Sequence, residues 1–223
     1  MSTTVLFVLV LAGVVGWWLF ARQLTGRPWE LAQRKLDDSH EGATLAVSPA
    51  RTGLWVLLAV ISSFFALFMS AYGMRMMLDD WRPLAEPSLL WGNTLILVLS
   101  SIAFQWTRVA ARRGDRPAVQ TGLIVTGFFT FAFLAGQVLA WRQLSASGQY
   151  LHSNVANAFF FLLTGLHGLH LLGGLAAWAR TMLRLMQAGT ALGQARQSVE
   201  LCATYWHYLL LVWLVLFGML LAT

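Results

Sequence analysis

Long apolar runs separated by short polar segments organise this chain. Six runs, at residues 4–21, 53–74, 89–107, 121–141, 155–179 and 204–222, contain no Lys, Arg, Asp or Glu. Each approaches the roughly 20 apolar residues that a helix needs to cross the hydrocarbon core of a membrane. Helices satisfy all their backbone polar groups within one segment, which lipid demands. The pattern therefore predicts an all-α, polytopic membrane bundle of six transmembrane helices. It divides into an N-terminal helix (1–21), a polar cytoplasmic linker (22–52) and a five-helix membrane domain (53–223). The first run has no basic stretch before it, and Trp17, Trp18 and Phe20 stand where a signal-peptide cleavage site would need small residues, so it reads as a retained helix. Within the linker, Trp29 to Leu36 can be a short helix lying on the membrane surface or an ordered loop.

Composition and charge then orient the bundle. With 58% hydrophobic and 11% charged residues, an ordinary soluble domain is excluded. Of the 15 basic residues, Arg22, Arg27, Arg34, Lys35 and Arg51, then Arg108, Arg112, Arg113 and Arg116, then Arg180, Arg184 and Arg196 fall in alternate connections. The other connections hold only Arg75, Arg82 and Arg142. Basic residues near helix ends stay on the cytoplasmic side, so both termini are expected outside a bacterial-type cell membrane. The net charge of +6 follows from this asymmetry and from attraction to anionic lipid, and implies no nucleic-acid partner. Trp17, Trp18, Trp55, Trp81, Trp91, Trp106, Trp141, Trp178 and Trp206 lie near span ends and read as interfacial anchors. Cys202 is the only cysteine, so no intrachain disulfide exists, and no base on its face marks a catalytic thiol.

Candidate chemistry concentrates in Phe159 to Gly174, FFFLLTGLHGLHLLGG. His167 and His170, at i and i+3, share a helix face and can meet one partner. Gly165, Gly168, Gly173 and Gly174 give surfaces where a helix or lipid chain can come close. An ion-coupled transporter needs a carboxylate in its bundle, and none stands in the six runs. Haem ligation by His170 and His207 is tested by depth. At 1.5 Å per residue, His170 lies about 13 Å and His207 about 4 to 5 Å from the inner span edge, a mismatch of about 8 to 9 Å. The expectation is no metal or cofactor in this chain, and histidines that serve structure. A stand-alone membrane b-type cytochrome or small-solute carrier is the alternative from another class, separable by an absorption spectrum.

Five stretches, read in order, resemble subunit III of the haem-copper respiratory oxidases: SSFFALFMSAYGMR (62–75), PSLLWGNTLILVLSS (87–101), FLAGQVLAW (133–141), AFFFLLTGLHGLHLLGG (158–174) and VELCATYWHYLLLVWLVLF (199–217). The resemblance implies a non-catalytic subunit of a proton-translocating terminal oxidase. Such a subunit packs on oxidase subunits I and II and binds membrane phospholipids, while haem and copper sit in those partners. It also implies that Arg184 contacts a lipid phosphate, where the plain alternative is a positive-inside anchor. Tyr72, Arg75 and Glu200 match the family pattern too; for Glu200 the simpler reading is a helix-start charge favoured by the dipole. In three places the family carries an acid and this chain has Ile61, Ala140 and Leu210, which removes carboxylate-dependent roles. An accessory subunit of a nitric oxide reductase or quinol oxidase system tolerates those losses. By this reading the spans at 53–74 and 89–107 form one wall of a lipid cleft and the last three spans the other.

Overall fold

The computed structural model describes residues 49–78, 81, 88–150, 154–186 and 192–222. They form five helices: α1 (Pro49–Arg75), α2 (Leu89–Arg113), α3 (Arg116–Ala146), α4 (Val155–Met186) and α5 (Leu192–Leu221). All five are long and apolar enough to cross a membrane. The span expected at 4–21, the surface segment 29–36, and Trp17 and Trp18 lie outside the described residues. Each helix overruns the apolar run that predicts it, α5 most of all, because hydropathy marks only the part in hydrocarbon. The hydrogen-bonded backbone continues into the headgroup zone, where polar side chains are wetted.

The chain divides into two compact units with the boundary after Gly73, inside the last turn of α1. On α1, Leu58, Ile61, Phe65 and Tyr72 form a buried stripe at helical spacing, while Trp55, Val56, Val60, Phe64 and Leu67 are exposed.

The second unit is a ring in which α2 packs on α3, α3 on α4, α4 on α5 and α5 back on α2. The α2–α3 turn is written in the sequence Gly114-Asp115-Arg116-Pro117. Gly114 adopts φ 77°, the left-handed conformation that ends α2. Asp115 then caps α3 by accepting the Ala118 N–H at 3.1 Å. Pro117 sits in the first turn, where its missing N–H costs no hydrogen bond. Two connecting residues leave α2 and α3 no option but to run antiparallel.

Close approach along that pair depends on glycine. A Cβ at Gly136 would overlap the Asn93 amide, and one at Gly122 would overlap the Thr107 hydroxyl. This corrects the expected division into walls: α2 belongs to the ring with α3 and α5, because its small and polar face matches theirs.

At the centre of the ring the indole N–H of Trp206 donates to Ser100 Oγ and Thr130 Oγ1, each at 3.2 Å. The two hydroxyls lie 2.9 Å apart, and Thr130 also donates to the Thr126 carbonyl at 2.8 Å. One ring nitrogen thereby ties α2, α3 and α5 together. Trp206 is 1% exposed, so its expected role as an interfacial anchor is corrected: its span begins well before 204, which carries the residue into the interior. Trp213 binds Thr94 at 2.9 Å, Trp141 binds Thr164 at 3.0 Å, and Trp178 binds the Leu123 carbonyl at 2.9 Å. Trp55, Trp91 and Trp106 are about half exposed.

Replacing Trp206 by Phe keeps an aromatic ring against Phe104, 4.9 Å away between centroids, but removes both hydrogen bonds. The expected loss is roughly 1 to 2 kcal/mol, read as a lower unfolding temperature in detergent or nanodiscs. Gly136→Val is expected to cost about 1 to 3 kcal/mol through overpacking. Gly168→Ala, whose Cβ meets only Leu134 at 3.9 Å, is expected to leave the unfolding temperature nearly unchanged.

Candidate functional site

The three membrane histidines part company in the structure. His167 is fully buried, with its ring 6.0 Å from Phe133 and 5.2 Å from Trp213 between centroids. His170 turns back along its own helix, Nδ1 lying 2.7 Å from the Leu166 carbonyl. The backbone carbonyl of His170 accepts the Tyr205 hydroxyl at 3.1 Å. A spacing of i and i+3 puts the two rings about 60° apart around the helix, enough for one to enter the ring of helices and the other to run along its edge. They therefore do not converge on one partner.

His207 faces α2. Its Nδ1 lies 2.5 Å from Ser101 Oγ and its Nε2 lies 3.2 Å from Gln105 Oε1. Depth does not separate it from His170 as the span edges suggest. Gly174 is pressed against Tyr205 and Trp206, and Thr181 lies beside Cys202. In antiparallel helices this puts His207 within about one turn, roughly 5 Å, of the level of His170. The expected mismatch of about 8 to 9 Å is corrected, because α4 and α5 overrun their apolar runs by different amounts. Direction is what separates the rings: one is bonded to α2 and the other to α4 itself. A haem needs two imidazoles on opposite faces of one plane, and this pair does not fit. Among the described residues no three His, Cys, Asp or Glu side chains gather as a metal site.

Charge collects at the end of the ring where α2 and α4 finish and α3 and α5 begin. Glu200 accepts from Arg112 Nε at 3.1 Å and lies 3.5 Å from Arg196 Nε. The reading of Glu200 as a helix-start charge is corrected, since α5 begins at Leu192 and Glu200 stands in its third turn. Arg184 is exposed on the last turn of α4. Arg116, counted in the sequence only as a positive-inside charge, donates to the Leu185 carbonyl at 2.5 Å and satisfies one of the open carbonyls at that helix end. Tyr72 is buried and Arg75 half-buried, both near the end of α1. Cys202 is buried beside the Thr181 hydroxyl at 3.7 Å.

Sequence reasoning missed how the polar residues group. Ser101, Gln105, Arg108 and Arg112 recur on α2 at i, i+4, i+7 and i+11, one stripe of a helix, and α5 answers with His207, Thr204 and Glu200. The spacing was legible in the sequence. Its pairing with α5 was not.

The arrangement offers hydrogen bonding, charge and rigid packing, and the comparisons with known proteins agree with that character. The family model for cytochrome c oxidase subunit III matches residues 51–222. A cytochrome c oxidase subunit 3 of Thermostichus vulcanus is 30% identical over 192 residues, covering 83% of this chain and 90% of that protein. One of Synechocystis sp. is 32% identical over 165 residues, covering 72% and 70%. A probable cytochrome c oxidase subunit 3 of Mycobacterium tuberculosis is 34% identical over 124 residues, 56% of this chain, and the chain spans 61% of that relative's length. Matched from α1 to the end of α5, the chain belongs to the cytochrome c oxidase subunit III family.

Proposed function

We propose that this chain is the non-catalytic subunit III of an aerobic respiratory terminal oxidase. It packs on subunits I and II and holds phospholipid. Electron transfer to oxygen, with coupled proton translocation, takes place on haem and copper carried by those partners. The observation that carries this reading is the family match across every described helix.

The chemistry of the ring supports it. Inside the ring the Asn93–Gln137 amide pair, the Ser100 and Thr130 hydroxyls and the Trp206 and Trp213 indoles make helix-to-helix bonds, each worth roughly 0.6 to 2 kcal/mol. Of the described carboxylates, Asp115 caps the start of α3 and Glu200, in the third turn of α5, is ion-paired with Arg112 and Arg196. Ile61 and Ala140, where the family carries acids, are buried apolar residues, so proton collection through carboxylates at those positions is not assigned. With the basic connections inside, Arg184 and Arg116 stand level with the inner-leaflet phosphates, and guanidinium suits a phosphate through paired charge-assisted bonds.

Purification of the intact complex from its native membrane is expected to bring haem, copper and at least two further membrane subunits with this chain. A Soret band on the isolated chain would overturn the proposal, and a copper-free partner would favour the nitric oxide reductase system. Arg184→Ala is expected to lower bound phospholipid and to shorten the active lifetime during turnover several-fold, with the initial rate of oxygen reduction nearly intact. A collapse of that initial rate would contradict a supporting role.

A further inference from the structure

Two polar nodes cross the interior of the ring, and they differ in how fully they are matched. Around Trp206 the hydroxyls of Ser100 and Thr130 share one donor and bond to each other. Closer to the end where α2 begins and α3 finishes, Asn93 and Gln137 are 2% and 3% exposed, and Asn93 Nδ2 donates to Gln137 Oε1 at 3.2 Å. That bond engages one half of each amide. Asn93 Oδ1 and Gln137 Nε2 are buried and take no hydrogen bond among the described residues. Turning the amides over does not remove the mismatch. Each carries one acceptor oxygen and one N–H2 donor, so a pair joined by a single bond leaves an acceptor on one member and a donor on the other.

Gly136 sets which way round the pair stands. A Cβ there would fall on Asn93 Oδ1, so a Cα hydrogen of Gly136 points at that oxygen, a weak favourable contact. An N–H2 turned to that side would set hydrogen against hydrogen. With Oδ1 toward Gly136, Asn93 must offer Nδ2 to Gln137, and Gln137 must answer with Oε1 and hold its N–H2 elsewhere in the interior. Room lies on the α4 side. The Trp141–Thr164 bond sets a register in which Gly168 stands level with Gln137, and a Cβ at Gly168 would meet only Leu134, 3.9 Å away. His167, beside it, is the polar side chain that α4 brings to this level.

We propose that the Asn93–Gln137 node is a binding site for water enclosed by the helices, which accepts from the Gln137 N–H2 and donates to Asn93 Oδ1. Amides joined by one N–H···O bond keep their two remaining polar atoms within about 8 Å of each other, a distance that one or two hydrogen-bonded waters span. Enclosed water is part of a fold where it meets such partners. The donor set selects the ligand: a cation has no use for the N–H2, an anion has none for Oδ1, and water serves both. Access is short as well, since Asn93 and Gln137 each stand four residues, about 6 Å, inside the end of an apolar run. The inference concerns this chain's own interior and does not rest on the function proposed above.

The test is a structure of the intact complex in lipid nanodiscs at a resolution that shows ordered waters. Density is expected about 2.7 to 3.2 Å from Gln137 Nε2 and from Asn93 Oδ1, as one peak or as two in hydrogen-bond contact. Amides closed into a reciprocal pair, with both N–H···O bonds made and no density beside them, would overturn the proposal, as would a protein or lipid atom bonded in the water's place. An independent readout is solid-state NMR of the complex in bilayers with this chain's glutamines labelled with nitrogen-15. The Gln137 side-chain amide is expected to show a cross-peak to water protons, assigned by its loss in Gln137→Met. An assigned Gln137 amide signal without a water cross-peak would count equally against the site.

Discussion

The whole arrangement depends on one constraint: a polar atom placed in lipid must find its partner inside the protein, because no water is present to provide one. In this chain the partners are found between helices. Trp206, Trp213, Trp141 and Trp178 each carry one N–H donor on a large apolar ring, and each spends it on a neighbouring helix. The same side chain fills space and fixes orientation. Around Trp206 the constraint is sharpest, since a single donor serves hydroxyls from two other helices.

Such bonds form only if the backbones come close enough, and closeness is supplied by glycine. Gly122 and Gly136 let α2 lie against α3, Gly127 admits the Trp178 ring, and Gly174 admits Tyr205 and Trp206. Hydrogen bonding and small residues are thus one device: the glycine opens the space and the indole or hydroxyl occupies it. The histidines take part in the same economy of contacts. His207 relays between Ser101 and Gln105, while His167 is packed among aromatic rings. Neither arrangement leaves two imidazoles facing a common centre.

A scaffold built in this way has its chemistry at its margins. Inside, neutral donors reach from helix to helix; the charged groups Arg112, Arg116, Arg184, Arg196 and Glu200 stand at or near the helix ends.

Much of this was legible in the chain itself. Apolar runs free of charge dictate membrane helices because lipid allows little else, and the twelve-to-three division of basic residues predicts which connections face the cytoplasm. The family motifs, such as TGLHGLH and YWH, are local strings and needed no fold to be read. Tertiary structure alone decided what each residue faces. Trp206 reads as an anchor until α5 is seen to begin at Leu192, and His170 and His207 look far apart in depth until α4 and α5 are set side by side. The reason is physical: periodicity and hydropathy report the cost of placing a side chain in lipid, whereas its partner is chosen by the register of two helices, which no single segment contains.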